Sequence, residues 1–132
     1  MRKNEAQGST GAASERIRFI THEGKKILLV DFSNCSPSQV EKISRTVPDY
    51  VTVQPRGSVL ILTDFTGASF DQEALRTMKE SAVFDKPFVK KSALIGTENL
   101  PKQFYEDMKS FSRRELPIFA SREAALVWLV EA

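Results

Sequence analysis

The feature that most constrains the fold is an apolar run near the middle of the chain, Val59 to Leu62, which leads into Thr63-Asp64-Phe65. The run is short, contains β-branched residues and is bounded by Gly57 and Gly67, so it predicts a buried strand rather than a helix. A strand that is continuously apolar is usually central and covered on both faces. Because ligands of open α/β sheets bind beyond the carboxyl ends of parallel strands, the turn after this strand is a candidate site.

Two segments before this strand predict an antiparallel hairpin. Arg16 to Thr21 alternates in polarity, Lys26 to Phe32 is mostly apolar, and the turn His22-Glu23-Gly24-Lys25 separates them. The first strand is the more polar one, so we expect it at the edge of the sheet. His22 is expected to be a solvated residue of the turn.

Capping residues predict where the first helix begins. Ser36 is suited to cap it, Pro37 fits the first helical position, and Gln39 can close a capping box. The residues predicted to share its apolar face are Val40, Ile43, Val47, Tyr50 and Val51. Pro48 lies within this pattern and predicts a kink or a break.

Three more helices are predicted after the central strand. The second begins at a capping box of Ser69 and Gln72 and ends near Phe84; the third opens at Asn99-Leu100-Pro101, and Ser121 caps the fourth. The residues predicted to face inward are Phe70, Ala74, Leu75, Met78 and Ala82 in the second helix, and Phe104, Met108 and Phe111 in the third.

Further strands at Phe88–Gly96 and Ile118–Phe119 give the order β-β-α-β-α-β-α-β-α. This alternation predicts an α/β domain with a mainly parallel five-stranded sheet, right-handed crossovers and an antiparallel first strand. Residues 1–15 are rich in Gly, Ser, Ala and charge and are predicted to be a disordered leader, which leaves 16–132 as a single domain.

Composition excludes several classes of protein. One Cys and one His exclude an internal disulfide and the usual Cys-cluster or multi-histidine zinc sites. A net charge of +2 gives no argument for nucleic acid, and no apolar run approaches the ~20 residues of a membrane helix. We therefore expect a cytoplasmic protein with no metal, no other cofactor, no nucleic-acid partner and no stable membrane insertion.

The turn Asp64-Phe65-Thr66-Gly67, with the order of elements, resembles the STAS domains of anti-sigma-factor antagonists such as SpoIIAA, over about Ile17 to Leu129. A closer resemblance, at this turn, at Pro87–Ala93 and at Phe119–Leu129, is to the SpoIIAA-like family of small bacterial proteins. The antagonists carry Asp-Ser-Ser-Gly, and a partner kinase phosphorylates a Ser there; here Phe65 replaces the first hydroxyl and Thr66 remains. The fold group includes lipid-binding CRAL-TRIO domains, so the resemblance implies a binding or regulatory module.

The predicted topology gathers loops at the carboxyl-end rim of the sheet. This rim is predicted to be rich in hydroxyls, poor in charge and lined by four helix N-termini. Its residues are Ser33, Asn34, Cys35, Ser36, Thr66, Gly67, Ser69, Thr97, Glu98, Asn99 and Ser121. Capping is the favoured role for Ser36, Ser69 and Ser121. For Thr66 a local structural role and a functional one stay open.

Candidates for catalysis are weak. Cys35 precedes a helix N-terminus, which can lower a thiol pKa, but no His accompanies it in sequence. Asp31 and Asp64 end neighbouring strands. They could act as a pair of carboxylates, or each could accept hydrogen bonds from backbone N–H groups in its own turn. The hydrogen-bonding role in the turns is favoured. We therefore expect no enzymatic activity.

The opposite rim of the sheet is predicted to be basic. Its residues are Arg56, Lys86, Lys90, Lys91, Arg113 and Arg114. Such a patch can meet phosphate or lipid head groups. Several of these residues follow helix C-termini, however, where cations are favoured by ~0.3–1 kcal/mol, so a structural role is preferred.

Two binding functions follow from these patterns. The first is a non-enzymatic module that meets an unidentified protein partner through the carboxyl-end rim, at Asn34, Cys35, Asp64, Thr66, Gly67, Ser69 and Thr97. The alternative is a carrier or sensor of an apolar or anionic, lipid-like small ligand. Its pocket would lie between the second and third helices, lined by Phe70, Met78, Phe104 and Met108.

A homodimer is a further expectation. Val59 and Ile61 point to one face of the sheet and Leu60 and Leu62 to the other, so both faces need cover. If the main helices lie on one face, an apolar surface is left for a second copy. If the helices divide between the faces, the monomer is complete.

Overall fold

The computed structural model describes residues 15–131, so all but the last residue of the predicted leader lies outside it. Within that range the elements follow the predicted order. The strands are β1 (Ile17–His22), β2 (Lys25–Asp31), β3 (Val59–Asp64), β4 (Val89–Ile95) and β5 (Ile118–Phe119), and the helices are α1 (Pro37–Val51), α2 (Gln72–Asp85), α3 (Lys102–Ser112) and α4 (Arg122–Val130). Short 3₁₀ helices span Lys86–Phe88 and Thr97–Asn99.

The described strands form one sheet in the sequential order β1-β2-β3-β4-β5. β1 is an edge strand that pairs antiparallel with β2, and every other pairing is parallel, as predicted. The apolar β3 is central. Asp31 lies opposite Asp64 in the register of β2 and β3, so both carboxyl groups emerge at the same edge of the sheet.

The two faces of the sheet carry two separate hydrophobic clusters. Ile61 and Val30 belong to the larger cluster, which includes residues of α1 and α2, whereas Leu60 and Leu62 pack with Ala125 and Leu129 of α4. The helices therefore divide between the faces, and the expected uncovered apolar face is wrong: the sheet residues of the second cluster are all at most 7% exposed. The homodimer stays a prediction, but it no longer follows from an exposed sheet face.

Helix α1 begins as predicted and continues further than predicted. The Ser36 hydroxyl accepts the Gln39 N–H, and the Gln39 side chain accepts the Ser36 N–H, so the capping box is confirmed. The helix runs through Pro48 to its end at Val51, so the alternative of a break is wrong. Val51 is fully buried, and its packing holds the turn that contains the proline.

Helix α2 begins at a different cap from the predicted one. The Asp71 carboxylate, not the Ser69 hydroxyl, accepts an N–H of the first turn, that of Ala74, at 2.8 Å. Ser69 lies in the preceding loop, where its own N–H donates to the Cys35 carbonyl. The capping box of Ser69 and Gln72 is therefore wrong, because Asp71 is still extended and Gln72 is the first residue of the helix.

The inward faces of α2 and α3 also differ from the apolar pattern. Three polar residues of α2, Thr77, Ser81 and Asp85, are buried beside Ala74. Phe111 of α3, predicted to face inward, is 40% exposed and lies under the Lys79 ammonium group. On the other face of the sheet, the predicted cap of α4 is confirmed, because the Ser121 hydroxyl accepts the Ala124 N–H.

Candidate functional site

A cavity of about 150 Å³ lies between the sheet and the three helices α1, α2 and α3. Its floor is the face of β2, β3 and β4 that carries Val30, Ile61 and Leu94. Its helical walls are formed by Ser44 and Val47 of α1, by Met78, Ser81, Ala82 and Asp85 of α2, and by Phe104, Tyr105, Met108 and Ser112 of α3. The surface of the cavity is mostly apolar, as is usual for small-molecule sites.

Three of the four residues predicted to form a pocket line this cavity. Met78, Phe104 and Met108 contribute to its walls. Phe70 does not, because it precedes α2 and packs edge-on against Phe65 at a centroid distance of 5.7 Å. Phe65 in turn stacks on Phe32. The aromatic side chains that follow β2 and β3 therefore pack against one another at the end of the hydrophobic core.

The cavity wall contains buried polar atoms that lack hydrogen-bond partners among residues 15–131. They are Asp85 Oδ1, Ser44 Oγ and Arg114 Nε. Asp85 and Ser44 are 8% and 3% exposed, so bulk water does not serve these groups freely. These atoms have almost no accessible surface, so they lie behind the wall of the cavity rather than on its surface.

Asp85 is the polar group that burial perturbs most. Desolvation raises the pKa of its carboxyl group to about 7, although the Ser81 hydroxyl, 3.4 Å from Oδ2, acts in the opposite direction. At neutral pH the group therefore exists in both protonation states. A perturbed carboxyl group in a cavity is a common property of functional sites.

The carboxyl-end rim is held together by hydrogen bonds between loops. The Asn34 N–H donates to the Thr66 carbonyl at 2.7 Å, and the Ser69 N–H donates to the Cys35 carbonyl at 2.9 Å. Asn99, from the 3₁₀ turn after β4, donates through its side chain to the Ala68 carbonyl. The rim is therefore a braced surface, on which Asn34, Thr66, Gly67 and Ser69 are exposed and Thr97 is half-buried.

The rim is not poor in charge, which corrects the prediction from sequence. Arg122, the first residue of α4, lies 2.9 Å from Asp64 and 3.8 Å from Asp31. Arg16 approaches Asp31 from the start of β1, also at 3.8 Å. Two arginines and two aspartates thus form a single cluster. Sequence reasoning missed both arginines, although the position of Arg122 directly after the cap Ser121 places it at this rim.

Asp64 organises the turn that follows β3. Its Oδ1 accepts both the N–H and the hydroxyl of Thr66, at 2.9 and 2.7 Å, and its Oδ2 accepts from Arg122. Burial alone would raise the pKa of Asp64, but these hydrogen bonds and the charge of Arg122 outweigh it and hold the pKa below its usual value. Asp31 likewise accepts the Ser33 N–H at 2.9 Å, so the favoured interpretation of both residues is confirmed.

Cys35 does not have the surroundings of a reactive thiol. It is 2% exposed, and burial raises its pKa despite the nearby positive charge of Arg16. His22, predicted to be a solvated residue of the turn, is instead the half-buried last residue of β1; its buried Nε2 lies 3.6 Å from Glu23 and has no hydrogen-bond partner among the described residues. Within residues 15–131 no group of three or more His, Cys, Asp or Glu side chains is placed to hold a metal ion.

Two basic residues of the opposite rim donate to carbonyl groups of their own chain, whereas Arg56, Lys86, Lys90 and Arg113 are exposed. Arg114 donates to the Lys86 and Lys90 carbonyls, and Lys91 donates to the Trp128 and Glu131 carbonyls at the end of α4. For Arg114 and Lys91 these contacts agree with the structural role preferred from sequence, and for the other four residues that role stays a prediction. Among the helices described, none is long and apolar enough to cross a membrane.

Comparison with known proteins adds no relationship. No protein-family model matches this chain, and no curated protein matches it. The resemblance to STAS and SpoIIAA-like proteins therefore stays a prediction, while the α/β fold with its mainly parallel sheet is directly visible in the structure. Function has to be argued from the sites themselves.

Proposed function

We propose that this protein binds a small, mainly apolar molecule in the cavity between the sheet and α1, α2 and α3, as a carrier or sensor and without catalysing a reaction. The observation that supports this is the mostly apolar cavity of about 150 Å³ that lies between these elements, with Asp85 among the residues of its wall. A core selected only for stability would fill this space with side chains.

Energetics favour a bound molecule over an empty cavity. The walls of an empty cavity lose dispersion contacts that a bound molecule would restore. An apolar cavity of about 150 Å³ is large enough for benzene. The cavity found here has this volume and is partly open to the surface, so it accommodates a group the size of one ring.

The proposal predicts that one-ring ligands raise the melting temperature. A ligand present at 100 times its Kd stabilises the folded state by about 2.7 kcal/mol. A calorimetric or dye-based thermal scan with toluene, phenol, cyclohexanol and indole measures the shift. Ala82→Leu, which places a larger side chain in the cavity wall, should abolish the shift, whereas Val83→Leu, on the exposed side of the same helix, should keep it.

Two results would contradict ligand binding in this cavity. If no compound of the panel shifts the melting temperature of the wild-type protein, the cavity is only a packing defect. A shift that persists unchanged in Ala82→Leu would place binding elsewhere on the protein.

A second candidate function is docking of a protein partner at the carboxyl-end rim, and the rigidity of that rim favours it. Thr66 is exposed, yet Asp64, Asn34 and Gly96 fix the position of its backbone. A preorganised exposed loop loses little conformational entropy on binding. Modification of the Thr66 hydroxyl would break its bond to Asp64 and place negative charge beside that carboxylate.

The rim candidate predicts that Thr66→Ala loses a partner that the wild-type protein retains in pull-downs from its own host. Thr52→Ala is the matched control, since Thr52 is an exposed threonine at the far end of α1. Mass spectrometry of the purified protein tests Thr66 for phosphate in parallel. If Thr66→Ala keeps every partner and Thr66 never carries phosphate, the rim has neither role.

A further inference from the structure

We infer that the opposite rim of the sheet is a docking surface for an anionic lipid bilayer, on which the protein rests without crossing it. The inference is independent of ligand binding in the cavity. Three observations support it: exposed apolar side chains are concentrated at this end of the protein, exposed cations surround them, and hydrogen bonds hold the segments that carry both. These segments are residues 52–58 after α1, 83–90 at the end of α2 and the start of β4, and 111–116 at the end of α3 and beyond it.

Exposed apolar side chains are concentrated in these three segments. They are Val53, which is 76% exposed, Phe84 at 68%, Val83 at 49% and Phe111 at 40%. Two further large hydrophobic residues are exposed among the residues described, and both lie elsewhere, in β5 and α4. Single exposed apolar side chains are ordinary, whereas a group of them marks an interaction site.

The helix ends that carry these side chains lie side by side. The Thr77 hydroxyl of α2 lies 3.4 Å from the Glu41 carboxylate of α1, and both helices run from the carboxyl ends of parallel strands toward the opposite rim. Helix α3 joins them, because the Lys79 ammonium group lies 5.6 Å from the centre of the Phe111 ring. Lys79 and Val83 are four residues apart and therefore neighbours on α2. The exposed apolar side chains thus belong to one end of the layer of three helices.

Cations surround these apolar side chains. The exposed acid of the three segments is Glu115, and their exposed cations are Arg56, Lys86, Lys90 and Arg113. Cations still outnumber acids when the exposed Asp49, in the last turn of α1, is counted with them. The surface is therefore positively charged as well as apolar.

Hydrogen bonds hold the three segments together. The Gly57 N–H donates to the Pro87 carbonyl at 3.0 Å, and the Ser58 N–H donates to the next carbonyl, also at 3.0 Å. Arg114 donates to the carbonyls of Lys86 and Lys90, which ties the third segment to the second. A surface held in this way loses little conformational entropy when it docks.

The combination of apolar groups and cations favours a membrane over other partners. Protein segments that lie on bilayers place Phe and aliphatic residues at the boundary of the acyl chains, and Lys and Arg beside anionic headgroups. The centres of protein interfaces are depleted of Lys, and single-stranded nucleic acids stack on aromatic rings, whereas two of the four apolar residues here are valines. A two-fold pairing with a second copy would bring the cations of both copies together.

Flotation of the protein with lipid vesicles tests the inference. The wild-type protein should bind vesicles of equal parts phosphatidylcholine and phosphatidylglycerol, and should bind phosphatidylcholine alone at least about tenfold more weakly. Added salt should weaken the binding to the anionic vesicles. Phe84→Ser removes the most exposed ring and should reduce the affinity about tenfold. Val127→Ser, at the exposed residue of α4, is the matched control and should bind as the wild type does.

Two double variants separate this surface from net charge. Lys86→Gln with Lys90→Gln should reduce the affinity for anionic vesicles about 25-fold, since each basic residue near such a surface contributes about fivefold. Lys42→Gln with Lys102→Gln removes the same charge from exposed lysines of α1 and α3 that precede the opposite rim. The affinity of this second variant should change by less than about threefold.

Three results would overturn the inference. They are a wild-type protein that does not bind anionic vesicles at low salt, equal binding to both kinds of vesicle, and equal losses in the two double variants. If no vesicle is bound and ultracentrifugation shows a dimer that Phe84→Ser does not form, the surface joins two copies instead. Should a variant fail to fold, as judged by circular dichroism, the lipid and salt dependence of the wild type still decides. Thermal shifts with one-ring ligands test the cavity separately.

Discussion

Replacing Gly96 by alanine is expected to destabilise the protein by roughly 2–5 kcal/mol. Gly96 follows β4 and has a φ of 67°, in the left-handed region that costs other residues about 1–2 kcal/mol. The loop after β3 also passes directly over it. A Cβ atom on Gly96 would lie 2.5 Å from the Thr66 nitrogen and 2.7 Å from the Thr66 Cα, so the backbone of that loop would have to move.

Gly24→Ala separates the two costs of Gly96→Ala. Gly24, in the turn between β1 and β2, has a φ of 79°, but a Cβ there would meet nothing within 4 Å. Gly24→Ala should therefore lower the free energy of unfolding by only about 1–2 kcal/mol, because of backbone strain. Urea unfolding of both variants measures the difference. Equal losses would mean that the loops of the carboxyl-end rim move apart readily, and the braced rim would be wrong.

Asp85→Asn is expected to make stability much less dependent on pH above pH 5. Burial raises the pKa of Asp85 to about 7 in the folded protein, against ~3.9 in an unfolded chain. Between these values the folded state holds a proton that the unfolded state has released, so the stability from this group falls as the pH rises. The free energy of unfolding falls by about 1.4 kcal/mol per pH unit between these two pKa values.

Denaturant unfolding of wild type and Asp85→Asn at pH 5 and pH 8 tests this expectation. Relative to the variant, the wild-type protein should lose on the order of 2–3 kcal/mol between the two pH values. Asp49→Asn, an exposed acid in α1, is the matched control and should follow the wild type. If the difference between wild type and Asp85→Asn is the same at both pH values, Asp85 is ionised throughout and the cavity is more hydrated than its burial indicates.

The sequence by itself determined the order of the elements and the sheet. The continuous apolar run of β3 indicated a central strand, and the glycine turn after β1 indicated the edge hairpin. Ser36 and Ser121 marked two helix starts. These signals are local: a cap, a turn or a period involves residues within a few positions of one another, so the chain carries them without reference to its fold.

Tertiary structure decided the cap of α2, the burial of Asp85 and the cluster at the rim. Ser69 and Asp71 both have capping side chains, and the hydrogen bond from Ser69 to Cys35 in another loop leaves the cap to Asp71. Asp85 at the end of a helix is usually solvated, whereas here tertiary packing buries it and raises its pKa.

The partners in the rim cluster are equally remote in the chain. Arg122 and Asp64 are separated by 58 positions, and α4 reaches Asp64 only because it lies across the opposite face of the sheet. The cavity depends in the same way on three helices and three strands meeting around one space. A sequence pattern indicates which face of a helix or strand is apolar. It does not indicate how closely the apolar faces of two elements approach each other in the fold. That distance determines whether a cavity, an unpaired carboxyl group or an ion pair results.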